Sequence, residues 1–66
     1  MRQEEIQVHK KYKGQKKGKE EVRYVNWMSK DRYVLAFSSD STKNLKPLPR
    51  MLVKNFAKWA VEEVKR

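Results

Sequence analysis

The chain has 66 residues and no cysteine, so it is large enough for one small domain, and neither a disulfide nor a thiolate metal site can staple it. Seventeen Lys and Arg against eight Asp and Glu leave a formal net charge of +9, an excess that destabilises a compact state unless a polyanion shares it. Apolar residues at 38% and aromatics at 11% exceed what a disordered tail carries, and no apolar run approaches the roughly 20 residues of a membrane span.

These bounds predict a single small basic domain over residues 1–66, held together by packing. The polar segment Met1 to Ile6 does not read as a secretory leader. The expected place is the cytoplasm, at the nucleoid or nucleus, with no membrane association.

Ile6, Val8 and, beyond Lys10, Tyr12 alternate with a period of two and predict a weak first strand. Residues 10–19 hold six lysines (Lys10, Lys11, Lys13, Lys16, Lys17 and Lys19) and both glycines, Gly14 and Gly18. Nothing apolar follows Tyr12 in that run, which predicts a flexible, exposed loop or hairpin tip. Val22, Tyr24, Val25, Trp27 and Met28 are strand formers with material for both faces, as in a central strand. After the polar break Ser29-Lys30-Asp31, Tyr33 to Phe37 form another such run, so the two pair as a β-hairpin closing near Lys30.

Ser38 to Lys46 is polar and turn-rich. Pro47 and Pro49 bracket Leu48, and because proline is tolerated in the first turn of a helix, a helix is predicted from about residue 49 to about residue 65. At about 100° per residue, Leu52, Val53, Phe56, Ala57, Trp59, Ala60 and Val64 fall on one arc, with Glu63 an exception among them. Lys54, Asn55, Lys58, Glu62, Lys65 and Arg66 fall on the other arc. The expected fold class is α+β: a small three-stranded antiparallel sheet with one C-terminal amphipathic helix packed on it, closure into an SH3-like barrel being the alternative.

Catalysis is not supported. His9 stands alone in the weak first strand, with no serine or carboxylate placed for nucleophilic or acid-base work. The acids come as the neighbours Glu4 and Glu5, Glu20 and Glu21, and Glu62 and Glu63, whose side chains diverge on either a strand or a helix and preorganise no metal site. Gly14 to Gly18 lacks the Lys-Ser or Lys-Thr ending of a phosphate loop and precedes a strand. No cofactor and no metal are expected.

Binding is the better reading. Lys10, Lys11, Lys13, Lys16, Lys17 and Lys19 would neutralise phosphates and release counterions. Lys43, Lys46 and Arg50 surround the predicted helix start, where free N–H groups also favour an anion. Lys30 marks the tight turn. By strict alternation Arg23, Val25 and Trp27 share one face of the central strand, while Val22, Tyr24, Asn26 and Met28 share the other. A single helix covers one side of such a sheet, so an exposed face with Arg23, Trp27 and Arg32 suits a nucleic-acid groove or unpaired bases. The competing reading closes that face against the N-terminal hairpin or against a second copy of the chain.

Lys11-Tyr12-Lys13-Gly14, Trp27 with Met28 near a tight turn, and the basic C-terminal helix resemble, over a few residues, the small archaeal chromatin proteins that bind DNA with an SH3-like barrel. The chain departs from them at Ser38 to Leu48, which is short and proline-containing where that family has a further glycine-rich hairpin. The β-β-β-α order resembles the arm-binding N-terminal domains of phage and transposon integrases. Neither resemblance extends to a defining motif.

The expected function is non-catalytic nucleic-acid binding through the phosphate backbone, DNA ahead of RNA, as an architectural or regulatory factor. The alternative is a protein-binding adaptor or inhibitor whose basic face docks on an acidic partner, and a homodimer is a further arrangement consistent with an uncovered sheet face.

Overall fold

The computed structural model describes residues 1–65, so Arg66, expected on the polar helical arc, lies outside the described residues. After one turn of 3-10 helix at Gln3–Glu5, the chain forms β1 (Lys11–Lys16), β2 (Lys19–Met28), β3 (Val34–Ser39), β4 (Arg50–Leu52), α1 (Val53–Trp59) and β5 (Ala60–Val64). All pairings are antiparallel, in the order β4-β3-β2-β1-β5. The domain is therefore α+β with a five-stranded sheet and one helix near its C-terminal end, which corrects the expected three strands.

The two additional strands come from the segment read as one long helix. Pro49 does not open a helix. Its carbonyl accepts the Phe37 N–H at 3.1 Å, and proline is tolerated at the start of an edge strand, where its missing N–H is not needed. The helix begins only at Val53 and spans seven residues. Val53, Phe56 and Ala57 are buried at the i, i+3, i+4 spacing that defines its core face. At Ala60 the backbone turns extended (φ −72°, ψ 132°), and β5 pairs with the free edge of β1. Ala60 and Val64 are apolar at the helical i, i+4 spacing from Phe56, so the helical pattern ran on through a strand.

The lysine-rich run is also more ordered than expected. Lys11–Lys16 form β1, because Tyr12 and Gly14 point inward while β2 and β5 pair with the strand on both sides. Only Lys17 and Gly18 make the turn to β2. Both have positive φ (53° and 77°), the requirement of a two-residue hairpin turn that follows the strand twist. The predicted first strand around Ile6 and Val8 is absent from the sheet. Ile6 is buried, Val8 is exposed, and the chain joins β2 through the His9 N–H to Val25 carbonyl bond at 2.8 Å.

Ile6, Tyr12, Val25, Leu35, Phe37, Val53, Phe56, Ala57 and Ala60 form one buried cluster. Contributions from four strands, the helix and the N-terminal segment to one cluster mean that the sheet curls around it, with α1 bridging the edge strands β4 and β5. Tyr12 sits edge-on to Phe56 at 5.7 Å between ring centroids. Its hydroxyl donates to the Glu5 carbonyl (3.1 Å) and accepts from the Gln7 N–H (2.8 Å), so the buried polar tip is satisfied. Loss of solvent around this phenol raises its pKa above 10.0.

The β2–β3 connection is built on side-chain acceptors. Ser29 Oγ accepts from the N–H groups of Tyr33 and Val34, both at 3.0 Å, and donates to Asp31 Oδ1 at 2.6 Å. Asp31 Oδ1 also accepts the Tyr33 N–H at 3.1 Å. The Ser29 hydroxyl, then the Tyr33 N–H, hold the Asp31 carboxyl below its ordinary 3.8. Because the folded pKa is depressed, this contribution is present above pH 3.8 and disappears as pH falls through the folded value. The melting temperature of Asp31→Ala is therefore expected to lie below that of the parent at neutral pH, with the gap closing in acid below pH 3.8. A gap that persists unchanged there would exclude the charged carboxylate as the source.

Candidate nucleic-acid interface

Side chains that alternate away from the core lie on the outer face of the sheet. Strand registers place Arg50, Ala36 and Trp27 in one row across β4, β3 and β2. The next row runs Ser38, Tyr24, Lys11 and Val64, and the row after it Val22, Lys13 and Glu62. Trp27 is 46% exposed, and the Arg50 guanidinium lies 5.3 Å from its ring centroid, within the range of a cation–π contact. Together they leave Ala36 beneath only 9% exposed.

Strict alternation does not produce this arrangement. Val25 pairs with Phe37 and Trp27 with Ala36, so Asn26 is an extra residue in β2, a β-bulge. Beyond it the phase reverses. Arg23 and Val25 face inward as expected of partners two apart, but Trp27 faces outward with Tyr24, and Met28 packs against the core. Tyr24, which the sequence put opposite Trp27, thereby joins the same face. Asparagine is a poor strand former, and its place between Val25 and Trp27 is the one local signal of the bulge.

A shallow groove of about 240 Å³ beside Tyr24 is lined by Lys11, Val22, Ser38, Ser39, Asp40 and Lys43. A second depression, sharing Tyr24 and Lys11, includes His9, Lys10, Glu63 and Lys65. His9 Nδ1 lies 3.3 Å from the Tyr24 hydroxyl, anchoring the ring where the two grooves meet. No predicted site included His9 or Lys65 on this face, since their approach to Tyr24 depends on pairing across β5, β1 and β2.

The structure divides the expected contact residues. Lys11, Trp27, Lys43 and Arg50 surround the outer face or its groove. Lys16, Lys17 and Lys19 stand exposed around the β1–β2 turn, Lys30 in the β2–β3 loop, and Lys46 in the segment before β4. Two lysines are neutralised locally. Lys10 lies 3.7 Å from Glu63, and Lys13 lies 2.7 Å from Glu62 and 3.8 Å from Glu20. The hydrogen bond that its ammonium donates to Glu62, then the charge of Glu20, raise the Lys13 pKa.

Two arginines are withdrawn from the expected site. Arg23 is 6% exposed. Its guanidinium lies 4.7 Å from the Phe37 ring and 4.3 Å from the Trp59 ring, and pairs with Glu21 at 2.8 Å through Nη2 and 3.0 Å through Nε. A buried cation must be paired to be tolerated, and this one is enclosed by its partners. Arg32 turns back on the N-terminal segment, donating to the carbonyls of Ile6 (2.8 Å) and Glu4 (3.3 Å). The expected exposed row of Arg23, Trp27 and Arg32 does not exist. Nor does a phosphate cradle at the helix start, because Arg50 belongs to β4 and the Val53 N–H already donates to the Tyr33 carbonyl at 2.9 Å.

No protein-family model, curated protein or solved structure matches this chain. The chemistry of the face therefore rests on its own side chains: exposed cations, two aromatic rings and a shallow polar groove. Among the described residues no helix is long and apolar enough to cross a membrane.

Proposed function

We propose that this is a non-catalytic nucleic-acid-binding domain that contacts the phosphate backbone through its outer sheet face and the β1–β2 turn, as a DNA-binding architectural or regulatory factor in the cytoplasm or nucleoid. The observation that carries this reading is the disposition of charge. Among the described residues, the carboxylates of Glu20, Glu21, Glu62 and Glu63 pair with Lys10, Lys13 and Arg23, leaving Lys11, Lys16, Lys17, Lys19, Lys43 and Arg50 exposed outside those pairs. Flexible ammonium groups neutralise phosphates without reading bases, so affinity with little sequence preference follows.

Binding should weaken steeply with salt. If about five phosphates are neutralised, log K falls against log salt with a slope of roughly −4 to −5 on duplex DNA. Replacing Lys16, Lys17 and Lys19 together by alanine should make that slope shallower while leaving the circular dichroism spectrum unchanged, since these side chains lie outside the core. Affinity that stays flat from low to moderate salt would sink the reading.

A further inference from the structure

We infer that the outer face takes single-stranded nucleic acid, with unpaired bases stacking on Tyr24 and Trp27 while Lys11, Lys43 and Arg50 hold the adjoining phosphates. This rests on the polyanion-binding reading above and narrows it to a class of ligand.

The bulge at Asn26 is the geometric basis. It brings both rings to one face, Tyr24 opposite Ser38 and Trp27 opposite Ala36. Those partners are two residues apart on β3, so the ring-bearing positions are separated by about 7 Å along the strand. Bases of a duplex rise about 3.4 Å per step on each strand and turn their faces to one another. Two bases that stack on both rings must be spread to about twice that rise, which an unpaired strand does and a duplex does not.

The surroundings fit the same ligand. Arg50 over Trp27 sets a cation against the ring where a base and its phosphate would lie. Lys11 and Lys43 line the groove beside Tyr24, in which Ser38 supplies a small polar side chain and Asp40 the carboxylate. A phosphate-only contact would make no use of an indole 46% exposed. A second copy of the chain is disfavoured by charge, because a two-fold interface brings the same patch against itself and would oppose Lys11, Lys43 and Arg50 with their own kind.

Fluorescence anisotropy with a labelled oligothymidylate and with a mixed-sequence duplex of equal length, at matched salt, tests this. The parent domain should bind the single strand more tightly than the duplex, and its tryptophan emission should be quenched by the single strand, an effect lost in Trp27→Phe. Trp27→Ala and Tyr24→Ala should each weaken single-strand binding by about five- to 150-fold and duplex binding by less than about twofold. Trp27→Phe and Tyr24→Phe keep a ring and should retain most of the affinity, so a general loss of folding is distinguishable from loss of stacking. The combined Lys11→Ala and Lys43→Ala variant should weaken both ligands. Equal or tighter duplex binding, or no quenching by the single strand, overturns the single-strand assignment while leaving phosphate binding intact. A parent domain that binds neither ligand at low salt overturns both.

Discussion

Replacing Phe56 by alanine is expected to leave the domain largely unfolded. Phe56 is 0% exposed and touches three other rings, Tyr12 at 5.7 Å, Phe37 at 6.2 Å and Trp59 at 5.2 Å between centroids. Removing it takes away the side chain by which the helix, β1 and β3 share one core. Truncation of a buried phenylalanine costs about 3 to 5 kcal/mol, transfer and cavity together. At roughly 0.05 to 0.15 kcal/mol per residue, a chain of 66 residues has about 3 to 10 kcal/mol in all. Urea denaturation followed by far-ultraviolet circular dichroism measures the loss directly. A midpoint unchanged from the parent would show that the helix does not pack as described.

Gly14→Ala should be the next most damaging change, for a reason unrelated to turns. Gly14 lies within β1 opposite Ala60 of β5, where the helix ends and the chain passes close over the strand. A Cβ here would overlap the Trp59 carbonyl oxygen and stand 2.7 Å from two carbons of the indole. The carbonyl belongs to the backbone, and the indole is itself packed against Arg23 at 4.3 Å and Phe56 at 5.2 Å. Neither can move away freely, so β5 must separate from β1. Overpacking costs typically 1 to 3 kcal/mol, and a clash with backbone belongs at the upper end of that range. Amide hydrogen exchange should show protection lost first across β1 and β5, with β2 and β3 retaining theirs longer. Uniform protection equal to the parent would contradict the close approach.

Both sites show how local pattern and tertiary contact divide the information. The i, i+3, i+4 spacing of Val53, Phe56 and Ala57 is a property of the chain itself, and it identified their buried face correctly because seven residues of helix are enough to present it. The Gly14 requirement has no local signature. Its φ is not in the left-handed region, and the atoms that exclude a side chain come from residue 59.

Composition, charge and periodicity determined that the chain would form one small basic α+β domain, with a central strand over Val22 to Met28, a hairpin turning near Lys30, and Phe56 in the core. These depend on neighbours a few residues apart, whose preferences the sequence carries directly. Tertiary structure alone decided the number of strands and the composition of the outer face. Residues 50–52 and 60–64 became strands because β3 and β1 offered unpaired edges, and backbone groups bury only when paired. The bulge at Asn26 moved Trp27 away from Arg23 and beside Tyr24. One inserted residue reverses every side chain beyond it, and its presence is set by register against β3, which no window along β2 contains.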